Sequence, residues 1–148
     1  MFDLVKLQAI GKMIAKQARE KAEADPTAAN DIIDMSPLLK KWCEGEWKLN
    51  EVCVHDNLPY WCMTAHDSTG NPTWSPAYET ALWALYHGRD AAHALPFKIE
   101  GHNPYNKGHW MIWTDGNRYY SKNDGNVWSP ADLPSGWDGP FDEKGDLI

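Results

Sequence analysis

The sequence predicts an α+β protein: an N-terminal helical region over residues 1–41, followed by two small all-β units that are three-stranded and built on hairpins. Three observations support this prediction. Helix-forming residues with an apolar stripe fill the first 24 positions, whereas all nine Trp residues follow residue 41. The rest of the chain has short apolar runs separated by turn-forming residues, and two of its segments repeat one another.

Composition limits the classes of function. The 148 residues are 43% hydrophobic, which is enough for a packed core, and they carry a formal net charge of -7. This negative charge argues against a nucleic-acid partner, because phosphate contacts need clustered cations. No apolar run approaches the ~20 residues of a membrane span. The N-terminus also lacks the apolar segment of a secretory signal.

The apolar stripe of the N-terminal region needs a surface to cover it. Within residues 1–24, apolar positions recur at spacings of three and four, and Leu7, Ile10 and Ile14 fit the seam of a heptad repeat. Three arrangements stay open: packing onto the chain's own β units, self-association as a short trimeric coiled coil, or docking into a larger assembly. The second arrangement makes Leu7, Ile10 and Ile14 the oligomerisation residues.

A second, shorter helix is expected just before the β units. Asp25-Pro26 is typical of a helix start, with the Asp as N-cap and the Pro at the first helical position. The helix would cover residues 27–35 and turn Ile32, Ile33 and Met35 inward. Ser36-Pro37 would then interrupt it.

Two stretches are typical of β-hairpins. Residues 52–63 centre on Asp56-Asn57 and residues 110–120 centre on Asp115-Gly116, and these residue types tolerate the positive φ angles of tight turns. The second hairpin has one more residue before its turn than the first, which suggests a β-bulge.

The turn length predicts the face that each ring of the second hairpin takes, because side chains alternate along a strand. With a two-residue turn at Asp115-Gly116, Trp113 would share a face with Tyr120. Tyr119 would lie on the opposite face.

An internal repeat follows the hairpins. Trp-Ser-Pro-Ala occurs at residues 74–77 and again at residues 128–131, and a closing Trp lies nine residues after the first Trp of each copy, at Trp83 and Trp137. The repeat predicts the following organisation: a first small β unit at 42–87, a linker at 88–104 and a second small β unit at 105–148.

Each copy resembles the small chitinase-type carbohydrate-binding module. The pattern is an aromatic residue, a hairpin with a tight turn, an aromatic-rich return strand, a Trp-Pro motif and a closing Trp. In the second copy these are Tyr105, Asp115-Gly116, Tyr119-Tyr120, Trp128-Ser-Pro and Trp137. The resemblance implies that each unit is a small β module whose partner is a polysaccharide or another glycan.

The arrangement as a whole resembles tail-fibre, head-fibre and decoration proteins of tailed phages and prophages. The resemblance is carried by the Ile-Ile-Asp-Met-Ser-Pro-Leu-Leu-Lys-Lys-Trp junction at 32–42 and by the Ala-His-Asp-Ser and Asn-Pro-Thr-Trp-Ser-Pro motifs within 65–76. It implies a location in the virion after synthesis in the host cytoplasm. The further partners would be capsid or tail proteins of the virion.

Exposed rings are the candidates for sugar contact. A module of about 40 residues has too small a core to bury all its aromatic rings, and exposed rings stack on the C–H faces of a pyranose. The candidate carbohydrate-binding residues are Trp61, Trp113 and Tyr120, with Trp110 and Trp137 behind them.

The competing interpretation is that the rings form the core of each unit. It is favoured for the two residues that precede Ser-Pro-Ala, Trp74 and Trp128, and for the closing residues, Trp83 and Trp137. Trp137 therefore belongs to both sets.

The residue pattern does not predict catalysis, a cofactor or a metal site. Cys43, Cys53 and Cys62 do not have zinc-site spacing and cannot all pair within one chain, so we expect reduced thiols. Most Asp residues lie in turns, where bonds to the backbone explain them. The motifs of serine hydrolases, zinc proteases and phosphate-binding loops are missing, so we expect a protein that is not an enzyme.

These observations predict a non-enzymatic accessory protein of a phage virion, a homotrimer that binds glycans on host or environmental surfaces through exposed aromatic rings. The alternative is a purely structural decoration or fibre protein of the capsid or tail, in which the rings form cores and interfaces and no sugar binds. A fragment of a secreted chitinase is disfavoured by the missing signal and the odd number of Cys residues. Neither a nucleic acid nor a membrane is expected as a partner.

Overall fold

The structure is a computed structural model that describes residues 28–79 and 81–148, and this part of the chain is mainly β. The chain divides into two compact units, with the boundary between Tyr86 and His87. The described part contains one α-helix, α1 (Ala28–Asp34), and the strands β1 (Glu46–Trp47), β2 (Val52–His55), β3 (Leu58–Cys62), β4 (His66–Asp67), β5 (Trp83–Leu85), β6 (Leu95–Pro96), β7 (Trp110–Ile112), β8 (Arg118–Ser121) and β9 (Trp137–Phe141).

The predicted α+β class with a helical N-terminal region is wrong, because the described chain is built from three β-sheets and a single seven-residue helix. The stripe within residues 1–24, with its oligomerisation residues Leu7, Ile10 and Ile14, lies outside the described residues. The shorter predicted helix is present as α1, and its Ile32 is fully buried. A helix of two turns is too short to be stable alone and depends on this packing.

The sheet of the first unit has the order β2-β3-β5 and is antiparallel throughout. β2 and β3 are joined by the two-residue turn Asp56-Asn57, whose φ angles are 51° and 64°. Two positive φ angles are typical of a type I′ turn, which matches the twist of the flanking strands. The register places Val52 opposite Trp61. A separate two-stranded sheet pairs β1 with β4.

Helix α1 covers one face of this sheet. Ile32 packs into a cluster of buried residues that includes Val52 of β2 and Tyr86, and Trp61 is partly buried against the same cluster. The other members of the cluster are Ala29 and Leu39, with Ile33 and Val54 at its margin. The face of β2 and β3 that carries Val52 and Trp61 is therefore part of the core of the first unit.

The second unit contains a four-stranded sheet with the order β6-β7-β8-β9. β6 is parallel to β7 and the other pairs are antiparallel. Residues 88–104, which the sequence suggests as a linker, belong to this unit and contribute β6 and the short 3-10 helix Ala91–His93. The core consists of Tyr105, Met111 and Trp137, with Phe97, Trp113 and Tyr119 packed against it.

The turn of the second hairpin is one residue longer than the predicted two-residue turn. The Trp113 N–H donates to the Asn117 carbonyl at 2.9 Å, so residues 114–116 form a three-residue loop. The loop ends at Gly116, whose φ is +81°. Three-residue loops of this kind need a left-handed residue at the last position, and glycine adopts that conformation without steric cost.

Because the loop is longer by one residue, Trp113 shares a face of the hairpin with a different tyrosine from the one predicted. Met111 pairs with Tyr119 and Trp110 pairs with Tyr120. Trp113 lies two residues beyond Met111, so it shares a face with Tyr119 and not with Tyr120. The prediction that Trp113 and Tyr120 form one platform is therefore wrong, because a one-residue change of register moves every side chain to the other face.

Each unit has an equivalent hydrogen bond between the indole of its closing Trp and the loop that contains Trp-Ser-Pro-Ala. The Trp83 indole N–H donates to the Trp74 carbonyl at 3.1 Å, and the Trp137 indole N–H donates to the Trp128 carbonyl at 2.9 Å. Each bond ties the loop that contains Trp-Ser-Pro-Ala to the last strand of its sheet. It also satisfies the polar atom of a buried indole, which would otherwise be costly to bury.

The three thiols differ in accessibility. Cys53 and Cys62 are fully buried in β2 and β3, whereas Cys43 is exposed, and all three are free. Burial raises the pKa of Cys53 and raises the pKa of Cys62 to about 11. Because the thiolate is the reactive form, both buried thiols should be inert in the folded chain.

We therefore expect a thiol reagent such as dithionitrobenzoate to label one cysteine rapidly in the native protein and all three in denaturant. Replacement of Cys43 by Ser should abolish the rapid phase, since only that thiol is exposed. The measurement is the absorbance of the released thiolate over time. Rapid labelling that persists in the Cys43→Ser variant would contradict the packing described for β2 and β3.

A buried histidine pair lies in the second unit. The Nδ1 atoms of His87 and His109 are 3.0 Å apart, and the His87 ring stacks on Tyr105 with centroids 3.9 Å apart. Burial holds the pKa of His87 well below its ordinary value and lowers that of His109 to about 4, and Arg89 acts in the same direction on both rings. Both rings are therefore neutral at pH 7.

The free energy of unfolding should fall as the pH is lowered from 6.5 towards 4. In this range His87 and His109 bind protons in the unfolded chain but stay neutral in the folded chain, because folding lowers their pKa values. At roughly 1.4 kcal/mol per pKa unit, His109 accounts for up to about 3 kcal/mol. Urea denaturation at several pH values within this range measures the effect. The slope should be smaller for His109→Gln, and equal stability of the wild type across the range would exclude a buried neutral pair.

Candidate functional site

One face of the second sheet carries three aromatic rings in mutual contact, which we call the three-ring surface: Trp110, Tyr120 and Phe141. The Trp110 ring centroid lies 5.1 Å from that of Tyr120 and 5.2 Å from that of Phe141. Tyr120 and Phe141 are 5.7 Å apart and nearly parallel, at 22°. All three rings are half-buried. They hold one another in place while part of each remains accessible.

Polar groups of both signs lie beside the three-ring surface. The Tyr120 hydroxyl donates to Asp138 Oδ2 at 2.5 Å, and this hydrogen bond raises the pKa of Tyr120. Arg118 lies on the same face, two residues before Tyr120 and paired with Phe141 across the strands. Its Nη1 donates to the Gly116 carbonyl at 3.3 Å, and the guanidinium carries further N–H donors.

An irregularity in β9 assembles this face. Asp138 pairs with Tyr120 and Phe141 pairs with Arg118, although the two β9 residues are three positions apart. In a regular strand, residues three apart point to opposite faces. Between these two pairs, β9 has one residue more than β8, and the register shifts there. Asp138 and Phe141 therefore lie on the same face of the sheet, the face that carries Arg118 and Tyr120 of β8.

The opposite face of the hairpin borders a cleft of about 340 Å³. The lining residues are Trp113, Asp115, Tyr119, Pro130, Ala131, Pro134, Trp137, Gly139 and Pro140. The Tyr119 hydroxyl donates to Asp115 Oδ2 at 2.7 Å, and the Asn117 N–H donates to Asp115 Oδ1 at 2.9 Å. Desolvation acts to raise the pKa of Asp115, but these hydrogen bonds, together with bonds from the Asn117 side chain and the Asp115 backbone, outweigh it and hold the pKa below its ordinary value.

The structure separates the five candidate binding residues. Trp110 and Tyr120 lie together on the three-ring surface, and Trp113 lies on the cleft, edge-on to Phe97 at 5.1 Å. Trp61 is edge-on to Tyr86 at 4.9 Å within the core beneath α1. Trp137 is only 6% exposed and belongs to the core of the second unit, although its margin reaches the cleft.

Trp128 is 50% exposed, so the expectation that it belongs to the core is wrong. Its loop is held by Asn126, whose Oδ1 accepts from the Trp128 N–H at 3.1 Å and whose Nδ2 donates to Ser121 Oγ and to the Gly136 carbonyl. Its equivalent in the first unit, Trp74, is half-buried.

Sequence reasoning missed three members of the principal site: Phe141, Asp138 and Arg118. The first two lie in β9, which contains Gly139-Pro140 and so lacks an alternating strand pattern. Arg118 could have been found from the hairpin alone, since it is two residues from Tyr120 and therefore on its face.

Residues 28–79 and 81–148 offer neither a cluster of metal ligands nor a membrane-spanning helix. This part of the chain has no cluster of three or more His, Cys, Asp or Glu side chains suited to a metal ion. Its helix is also too short to cross a bilayer.

No known protein family and no curated protein sequence matches the chain. Among solved structures, a family GH18 chitinase from Chromobacterium violaceum is similar over part of its length. The similar region covers 47% of this chain and 17% of the chitinase chain, with 24% sequence identity and a TM-score of 0.31.

Replacement of Gly139 by Ala should destabilise the second unit, because a Cβ atom there would lie 2.5 Å from Tyr119 Cδ1 and the φ angle is +145°. We expect a loss of about 1–3 kcal/mol in the free energy of unfolding, measured by urea denaturation. Gly125→Ala is the matched control, since Gly125 has a φ of +64° but open space around its Cβ position. A loss no larger than that of the control would show that the contact with Tyr119 is unimportant.

Proposed function

We propose that the chain is a non-enzymatic carbohydrate-binding protein and that its second unit binds glycans on the three-ring surface. The observation that carries the proposal is the group of half-exposed rings of Trp110, Tyr120 and Phe141, with Asp138 bonded to the Tyr120 hydroxyl and Arg118 on the same face of β8. The resemblance of the sequence repeat to chitinase-type binding modules supports the same class of ligand.

The chemistry of a sugar fits this surface. A pyranose ring has apolar C–H faces, which stack on aromatic rings and exclude water, and a rim of hydroxyl groups that both donate and accept hydrogen bonds. Asp138 offers acceptor oxygens and Arg118 offers donors on the same face as the rings. The rings are fixed by contact with one another, so little side-chain entropy is lost on binding.

We place this binding on a phage virion as the function of an accessory protein of fibre or decoration type. The support is the sequence resemblance around residues 32–42 and 65–76. Display of many copies on one particle would raise the effective concentration of weak individual sites and give tight attachment to a polysaccharide. The alternative is a structural virion protein in which the same rings contact capsid or tail proteins.

Retention of the full chain in native gels that contain soluble polysaccharides tests the proposal, after a glycan array has identified a retaining polymer. Trp110→Ala and Phe141→Ala should each weaken binding about tenfold or more, equivalent to about 1.4 kcal/mol, because each removes a stacking ring. Tyr120→Phe should retain most binding, since the ring remains while only the hydroxyl bonded to Asp138 is lost.

Trp128→Ala is the matched control, because Trp128 is an exposed indole outside the three-ring surface. Thermal unfolding should establish that every variant is folded. Undiminished retention of Trp110→Ala and Phe141→Ala would exclude this surface as the binding site. A wild-type chain that no glycan retains would favour the structural alternative.

A further inference from the structure

We infer that the cleft beside Tyr119 is a second binding site, specific for an organic cation of the quaternary ammonium type. The site lies on the face of the hairpin opposite to the three-ring surface, since Trp113 and Tyr119 alternate with Trp110 and Tyr120 along β7 and β8. The inference does not depend on the proposed glycan site.

The first argument is the composition of the cleft. Three aromatic side chains contribute to its wall: Trp113 and Tyr119, which are half-buried with part of each accessible, and the buried Trp137. The faces of aromatic rings are electron-rich and attract a cation within about 6 Å of the ring centre. The remaining lining is mostly proline and alanine, which excludes water from the walls without competing for hydrogen bonds.

The second argument is charge. Asp115 is the single ionisable acid on the cleft, and no Lys, Arg or His residue is among the lining residues. Its carboxylate is held by the Tyr119 hydroxyl at 2.7 Å and by the Asn117 N–H at 2.9 Å. Hydrogen bonds from the Asn117 side chain and from the Asp115 backbone also favour the ionised carboxylate, whose negative charge remains available to an ionic partner. The cleft therefore attracts a positive charge and has no positive group of its own to oppose it.

The third argument concerns the hydrogen-bond donors of the cation, which distinguish a quaternary ammonium from a guanidinium or a primary ammonium. A guanidinium carries five N–H donors and a primary ammonium carries three, and all need acceptors. Among the side chains that line the cleft, acceptors are limited to the Asp115 carboxylate and the Tyr119 hydroxyl that it already engages. A trimethylammonium group has no N–H donors, so aromatic and proline surfaces can surround it at no cost in unmet hydrogen bonds. Its volume is also small compared with about 340 Å³.

The shape of the cleft is maintained by its floor. Gly139 lines the cleft, and a Cβ atom at this position would lie 2.5 Å from Cδ1 of the Tyr119 ring. The absence of a side chain at Gly139 thus lets the Tyr119 ring sit against the backbone of β9, with its hydroxyl directed to Asp115. Ring and carboxylate are positioned before any ligand arrives, which reduces the cost of ordering them.

The test is a titration of the full chain with choline chloride, followed by the indole N–H resonances in nitrogen-15 NMR spectra. The Trp113 resonance, assigned with Trp113→Phe, should shift and saturate with millimolar affinity. The uncharged carbon analogue of choline should bind the wild type at least about fivefold more weakly than choline does, because it lacks the positive charge. Choline should bind the Asp115→Asn variant at least about fivefold more weakly than the wild type, because the variant lacks the negative charge. Asn at position 115 can still accept the Asn117 N–H, so the turn should remain folded.

Asp124→Asn is the matched control, because it removes a carboxylate of the second unit that does not line the cleft and that accepts from the Lys107 N–H at 3.0 Å, which Asn can also do. It should leave choline binding unchanged. The same titration is repeated with capped arginine and with capped lysine, and both should bind more weakly than choline. Equal binding of choline and its uncharged analogue, equal binding by Asp115→Asn, tighter binding of capped arginine, or no shift of the Trp113 resonance would each overturn the inference. None of these outcomes affects the glycan experiment, which depends on the other face.

Discussion

The length of one turn determines how the surface of the second unit is divided. Because the loop at residues 114–116 has three residues, Trp110 and Tyr120 lie on one side of the hairpin and Trp113 and Tyr119 lie on the other. A turn shorter by one residue would place rings from both pairs on each side. The two pairs of rings lie on separate faces because a glycine with a φ of +81° ends this loop.

The two units share the same hydrogen bond between the closing Trp and the Trp-Ser-Pro-Ala loop, which we call the shared frame, but they differ in whether one face of the hairpin is buried. In both, the closing indole donates to the carbonyl of the Trp that precedes Ser-Pro, which fixes the last strand relative to the loop. In the first unit, the face with Val52 and Trp61 is buried beneath α1. The corresponding face of the second unit carries the three-ring surface, whose rings remain partly accessible. The shared frame therefore fixes the fold, while the side chains placed on it set the function.

Sequence reasoning succeeded where structure depends on neighbouring residues. The hairpin at Asp56-Asn57 follows from turn chemistry within two positions, and α1 lies within the segment that Asp25-Pro26 and Ser36-Pro37 delimit in the sequence. It failed for the α+β class and for the face of Trp113, which requires the turn length to be known to one residue. It could not find Phe141, because the register shift in β9 depends on pairing with β8 and has no local signal.

Two adjacent tyrosines on β8 border the two surfaces that we propose as binding sites. Tyr119 and Tyr120 point to opposite faces, and each donates its hydroxyl to a carboxylate, Asp115 on one side and Asp138 on the other. The difference lies in what accompanies each carboxylate. Asp138 shares its face with Arg118, so that face offers donors and acceptors together, as a ligand with many hydroxyl groups requires. The other residues that line the cleft with Asp115 are aromatic, proline, alanine and glycine, so the lining includes no positive group, which is the basis of the cation site that we infer.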